Sequence, residues 1–137
     1  MGWFQKEISI IGKERGFNLI TDEILNNIDI SEYKIGVLHL HIMHTSASLT
    51  VNENADPTVR EDMESYFNKF VPENEPYYKH TFEGSDDMPA HIKSSILGNS
   101  VSVPIKDGSL NLGTWQGIFL CEHRDSSHAR RITATIN

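Results

Sequence analysis

Lys34-Ile35-Gly36-Val37-Leu38-His39-Leu40-His41-Ile42-Met43-His44-Thr45-Ser46-Ala47-Ser48-Leu49-Thr50-Val51-Asn52-Glu53-Asn54 is the run about which the rest of this 137-residue chain is arranged. Over 34–43, Leu38, Leu40 and Ile42 share one face of an extended chain, and Ile35, Val37, His39, His41 and Met43 share the other. Apolar residues on both faces predict a strand covered on both sides or lying in a subunit contact. Alternation puts His44 on the Leu38 face at the strand's end and turns His39 and His41 away. Residues 47–51 read as the next strand. Asp56 and Pro57 supply a helix N-cap and a first helical residue. Beyond them Val59, Met63, Tyr66, Phe67 and Phe70 form one helical stripe, with Arg60, Glu61, Glu64, Asn68 and Lys69 facing away. The segment between strand and helix holds one imidazole, hydroxyls at 45, 46, 48 and 50, two amides and a carboxylate. A plain connection needs far less polar chemistry.

On the N-terminal side, 3–11 alternates as a strand and 17–20 reads as a short one. Thr21 is placed to cap a helix over 22–28, with Asp22 and Glu23 at the favourable end of its dipole. On the C-terminal side, Pro72 stops the long helix, and 71–87 is the longest irregular segment. A helix follows over 89–97, closed by Gly98. Its wheel groups His91 with Ser94 and Ser95, away from Ile92 and Ile96, so that side belongs to solvent or to a polar site. The last third is strand-rich: 100–106, a turn at Asp107-Gly108, then 116–123 and 130–137. The expectation is one α+β domain over 1–137, with a mixed or antiparallel sheet and two or three helices.

Composition narrows the function. Twelve basic against nineteen acidic residues leave a formal charge of −7. An acidic chain without a basic block argues against nucleic acid held through its phosphates, while a small phosphorylated ligand needs only one Arg and a few backbone N–H groups. Cys121 is the single cysteine, so no disulfide forms within the chain, in keeping with a reducing compartment. No basic segment followed by an apolar run opens the sequence, and no apolar run approaches membrane-spanning length. A cytoplasmic protein without membrane contact is expected.

Three polar segments carry the candidate chemistry: the one at His44, the run Gly84-Ser85-Asp86-Asp87-Met88-Pro89-Ala90-His91, and Cys121-Glu122-His123-Arg124-Asp125. His44 and His123 fall where strands end, and His91 in the first turn of a helix, whose partial positive charge favours a neutral imidazole. Three histidines with a fourth position open to water would make a zinc site of the catalytic type. The same histidines also suit metal-free acid–base work. Thr45 and Ser46 could hold an oxyanion and Arg124 a phosphate. Glu53 and Asp87 are candidate bases. Each has an ordinary alternative: turn hydroxyls for Thr45 and Ser46, a surface ion pair for Arg124, a helix-start acid for Asp87, a surface acid for Glu53. His80 and His128 lie in polar loops and read as exposed. Cys121 shares its face with Phe119 and reads as a buried small hydrophobe.

The runs 44–54, Asp56-Pro57-Thr58-Val59-Arg60, Asp86-Asp87-Met88-Pro89-Ala90-His91-Ile92-Lys93-Ser94-Ser95, Gly113-Thr114-Trp115-Gln116-Gly117-Ile118 and Glu122-His123-Arg124 together resemble the YjbQ family, in the same order and over nearly the whole chain. The resemblance implies a compact α+β domain with a large folded sheet, assembled as a homotrimer. It also implies a secondary thiamine-phosphate synthase activity, which joins a pyrimidine diphosphate to a thiazole phosphate and releases pyrophosphate. The matching positions are His44, His91 and His123 as a histidine cluster able to hold a divalent metal, zinc being favoured by three imidazoles. Thr45, Ser46, Asn52 and Arg124 then fall on the substrate, and Glu53 and Asp87 act as acid or base. Two further expectations stay open beside this one: a metal-dependent hydrolase of unknown substrate, and a non-catalytic trimeric protein that binds a metal or ligand.

Overall fold

A computed structural model describes residues 2–126 and 128–137. Eight strands and three helices follow in the order β1 (Phe4–Ile10), β2 (Gly16–Leu19), α1 (Thr21–Leu25), β3 (Ile35–Ile42), β4 (Ala47–Glu53), α2 (Pro57–Phe70), α3 (Asp87–Leu97), β5 (Ser100–Lys106), β6 (Ser109–Leu110), β7 (Gln116–Glu122) and β8 (Arg130–Ile136). They build a five-stranded sheet, β1-β8-β3-β5-β6, and a three-stranded sheet, β2-β7-β4. Every pairing is antiparallel.

Side-chain alternation stacks the two sheets. The long sheet turns Ile8, Ile10, Leu38, Leu40, Ile42, Val103, Ile105, Ile132, Ala134 and Ile136 inward; the short sheet answers with Ala47, Leu49, Ile118 and Leu120. The expected Leu38/Leu40/Ile42 face is therefore the core face. The opposite face of β3 is bare within this chain, with Ile35 89% and Val37 47% exposed.

The short sheet is covered on both sides, which is why β7 is buried from Gly117 to Glu122. Its outer side carries α2 and α3. Phe67 of α2 packs on Phe17, with ring centroids 6.2 Å apart, and the Arg60 guanidinium lies over Phe119. This corrects the expected helical stripe. Tyr66 and Phe70 stack on each other in solvent, whereas half-buried Glu64 accepts from Arg15, and Asn68, itself exposed, accepts from Arg15 and Lys93. Helix α2 meets β2, half-buried Arg15 and buried Lys93, and that polar neighbourhood overrides the apolar pattern.

Three local signals have their expected structures. The Asp56 side chain accepts from the Thr58 N–H at 2.9 Å with Pro57 as first helical residue. Asp107 and Gly108 take φ of 50° and 77°, a two-residue turn of the mirror-image type. A Cβ on Gly108 would meet the Ser31 carbonyl oxygen at 2.7 Å, so no other residue fits. Gly98 ends α3 with φ 104°. Thr21 differs from expectation. It is the first residue of α1 and caps nothing; its Oγ1 accepts from the Ile118 N–H at 2.9 Å, tying α1 to β7. No helix among the described residues is long and apolar enough to cross a membrane.

Candidate functional site

Helix α3 packs with its polar side down. Asp87, Lys93 and Ser94 are buried, whereas Ile96 is 50% exposed. Ser94 explains part of this, since its hydroxyl donates to the Ala47 carbonyl at 2.7 Å and pins the helix across β4. The helix start then lies against two connections, the β3–β4 turn and the segment after β7. The segment 71–86 between α2 and α3 has no helix or strand and folds back over the same place.

Asp87 is the centre of the arrangement. It is 1% exposed. Its Oδ1 forms an ion pair with Arg124 Nη1 at 2.9 Å, while its Oδ2 faces His80 Nε2 at 2.7 Å and His91 Nε2 at 3.1 Å. Burial alone would raise this carboxyl. The hydrogen bond from His80 and the charges of His91 and Arg124 outweigh it and hold the group below the ordinary carboxylate value. The two rings pack edge to face, centroids 5.3 Å apart. His91 Nδ1 donates to the Thr45 carbonyl at 2.9 Å. A cleft of about 410 Å³ opens beside His80, lined by Asn74, Glu75, Tyr78, Thr81, Ser85 and others. A second, of about 350 Å³, is lined by His44, Thr45, Ser94, Ser95, Gly98 and Asn99. The His91 ring bridges them, touching His80 of the first and Thr45 of the second.

Arg124 is a positioning group here rather than a free phosphate ligand. Its Nε donates to Asp86 Oδ2 at 2.8 Å, its Nη2 donates to the Glu83 carbonyl at 2.8 Å, and its Nη1 forms an ion pair with Asp87 Oδ1. Asp86 Oδ2 also accepts from the Asp125 N–H at 2.9 Å. Burial pushes the Asp86 carboxyl up, and these donors pull it below its ordinary value.

The three expected histidines do not converge. Among the described residues, one group of metal-ligating side chains has its donor atoms within 4.8 Å of one another, and it is His80, Asp87 and His91. His123 is 2% exposed, under α3, with Nε2 2.8 Å from Ser48 Oγ. Burial, with Lys93, Arg15 and Arg130 nearby, drives it down to about 3, so it is neutral. His44 uses its Nε2 to accept the Arg131 N–H at 2.8 Å, standing in for a carbonyl where the β3–β8 ladder ends. Burial and the Arg130 and Arg131 charges lower its basicity.

The remaining expected residues have structural partners. Ser46 Oγ accepts from Arg130 Nη2 at 3.1 Å inside a buried pair of Arg130 with Glu122. Asn52 Oδ1 accepts from the Glu53 N–H, and Glu53 Oε2 accepts from the N–H groups of Ala55 and Asp56. Both sit at the far end of β4 from Thr45, about 25 Å along the chain by the rise per residue of a strand. They hold the turn into α2. Thr45 reaches the centre through its carbonyl, with its side chain in the second cleft. His80 is the site residue that the sequence reading missed. Its one local signal was a place in the long irregular segment, seven residues before Asp87. Cys121 is fully buried, as its face predicted, and burial pushes its thiol up to about 12.

With the geometry in place, the chain can be set beside known proteins. The family model described as "UPF0047 protein YjbQ-like" matches residues 6–137. A UPF0047 protein YjbQ of Escherichia coli O157:H7 is 56% identical over 135 residues, covering 98% of this chain and 97% of that protein. A UPF0047 protein of Synechocystis is 41% identical over 133 residues, with 96% of this chain and 90% of that protein covered. A solved structure of an uncharacterised YjbQ/UPF0047 protein from Clostridium acetobutylicum superposes with a TM-score of 0.85 at 36% identity, covering 96% of this chain and 99% of that one. A YjbQ-like protein of unknown function from Sulfolobus solfataricus superposes with a TM-score of 0.84 at 26% identity, covering 98% and 96%.

Proposed function

We propose, on the premise that this chain belongs to the YjbQ-like UPF0047 family, that it is a small-molecule transferase, a secondary thiamine-phosphate synthase. The reaction forms a C–N bond between a thiazole phosphate and a pyrimidine as the C–O bond to the pyrimidine's diphosphate breaks and pyrophosphate leaves. One observation carries the reading: a buried carboxylate oxygen of Asp87 set against two partly exposed imidazoles beside a cleft of about 410 Å³.

The roles follow from charge. Negative charge grows on the departing pyrophosphate. His91 stands near the start of α3 and His80 against its first residue, Asp87, where the helix dipole favours an anion. Asp87 stays ionised, fixed by Arg124, and orients both rings. Thr45 fixes the second ring nitrogen of His91. Purified protein given both precursors is expected to release thiamine phosphate and pyrophosphate in equal amounts, with His91→Ala slower by roughly 100-fold, the usual scale for a lost acid–base group. Undiminished product from that variant would refute the site. Pyrophosphate without thiamine phosphate would instead favour the metal-dependent hydrolase.

Two further points belong to the proposal. The bare face of β3, with Ile35 and Val37 beside exposed Trp3, supports a homotrimer assembled through it. Val37→Glu is then expected to lower the mass seen by light scattering. A single free, buried cysteine supports a cytoplasmic location.

A further inference from the structure

His91 poses a proton problem. Its Nδ1 lies 2.9 Å from the Thr45 carbonyl oxygen, which can only accept, so Nδ1 carries the proton. In the neutral ring Nε2 then bears a lone pair, and it points at Asp87 Oδ2 from 3.1 Å. Two acceptors face each other unless a cation lies between them or the ring is charged. His80 Nε2 brings a third donor atom to the same oxygen at 2.7 Å.

We propose that His80 Nε2, Asp87 Oδ2 and His91 Nε2 are the three protein ligands of one divalent transition-metal ion. Four features of the site agree. The three atoms lie within 4.8 Å of one another. Ligands at zinc bond lengths of about 2.0–2.1 Å in a tetrahedron stand roughly 3.3 Å apart. The His80 and His91 nitrogens, 2.7 and 3.1 Å from Asp87 Oδ2, need to move off it by about 0.6 and 0.2 Å, and the His80 side chain is 48% exposed. Each of two ligands has its outer partner, the Thr45 carbonyl on His91 Nδ1 and Arg124 Nη1 on Asp87 Oδ1, which fixes the ligating atom as metal sites require. Two imidazoles and one carboxylate suit zinc and its neighbours rather than magnesium. Three protein ligands leave a coordination position toward the cleft beside His80, where a water or a substrate oxygen fits.

The ion would occupy the same three residues that carry the transferase reading and would serve it by neutralising pyrophosphate oxygens, but its binding does not depend on that reading. The test uses untagged full-length protein, stripped with a chelator and titrated with zinc by calorimetry, with elemental analysis of the reloaded protein. One zinc per chain is expected. His80→Gln, at a half-exposed position that does not threaten folding, is expected to weaken binding by roughly 100-fold or more, and Asp87→Asn and His91→Gln likewise. His44→Gln and His39→Gln should bind as wild type. No zinc uptake, or unchanged affinity in His80→Gln, overturns the site. So does nitrogen NMR showing both rings doubly protonated at pH 7.5 and unmoved by zinc. Zinc binding without thiamine phosphate leaves the site and removes the synthase. Full synthase activity in stripped protein that takes up no zinc does the reverse.

Discussion

His91 donates from Nδ1 to the carbonyl of Thr45, 2.9 Å away and 46 positions earlier in the chain. One side chain thereby fastens the start of α3 to the β3–β4 turn and fixes which nitrogen it shows to Asp87. Ser94, one turn further along, repeats the attachment through its bond to Ala47. Asp87 and His91 are thus mounted on a helix held at two points, and the loop that covers them brings only His80.

Asp87→Asn tests the centre of this arrangement. The amide keeps the shape but presents no charge to Arg124, His80 and His91. Activity is expected to fall by roughly 100-fold, and stability by about 3 kcal/mol, the scale of a buried ion pair left with one partner. Arg124→Lys should be milder in stability yet still lower kcat, because an ammonium cannot serve Asp86, Asp87 and the Glu83 carbonyl together. Paired urea titrations and initial rates would show both effects, and wild-type values for either variant would refute the assigned roles.

The buried imidazole of His123 sets a pH dependence. Its folded value, about 3, lies below the ordinary 6.5, so the unfolded chain binds the proton first. Stability from this group is complete above 6.5 and is lost as pH falls from there toward 3. The slope approaches about 1.4 kcal/mol per pH unit at most. Asp86 and Asp87, with depressed values, add their own losses only below the ordinary carboxylate range. Urea midpoints at pH 7 and 5 should therefore separate in the wild type and draw together in His123→Gln. An equal separation in both would contradict the buried neutral ring.

Glu122 and Arg130 meet at 2.7 and 2.5 Å in a two-pronged pair with 0% and 4% side-chain exposure. Glu122→Gln is expected to cost about 3–5 kcal/mol by leaving the guanidinium unpaired in the interior. The double change Glu122→Met with Arg130→Met should recover most of that, since an apolar pair of similar volume needs no partner. Denaturation of the three proteins decides it; a double variant no better than the single would show that the bonds to Ser46 and the Arg124 N–H matter more than the pair.

Gly117 lies where β7 passes Leu19 and Asn54. A Cβ there would stand 2.5 Å from Leu19 Cδ1 and 3.0 Å from Asn54 Cβ. The leucine end can move, being 38% exposed, but Asn54 is tied to the 114–116 turn: its side-chain amide donates to the Thr114 and Gln116 carbonyls and its backbone N–H to the Trp115 carbonyl. Gly117→Ala is expected to destabilise by about 1–3 kcal/mol, the range for overpacking. A midpoint within error of wild type would mean that the strands part more easily than the contacts imply.

Much of the architecture was legible residue by residue. Alternation along 34–43 gave the core face of β3, and Asp56-Pro57, Gly98 and Asp107-Gly108 marked ends and turns. Each depends on chemistry within a few neighbours: the period-two pleat, a side-chain oxygen two residues from an N–H, a glycine at positive φ. The same alternation turned His44 inward at the strand's end, but could not say that its nitrogen would replace a carbonyl in the ladder to β8. The apolar stripe of α2 misled for a related reason. A helix buries whatever face its partners match, and here the partners were Arg15 and Lys93.

Sequence alone, then, determined seven of the eight strands found among the described residues, most of the helix signals, the family and two residues of the centre, Asp87 and His91. Tertiary structure alone decided what they touch. It brought His80 in from an irregular segment, took His123 away beneath α3, and turned Arg124 from ligand to brace. Those outcomes rest on contacts between residues as much as 75 positions apart, such as Ser48 with His123. No local periodicity records them, because they exist only once two sheets have stacked and a helix has settled across β4 with its polar side down.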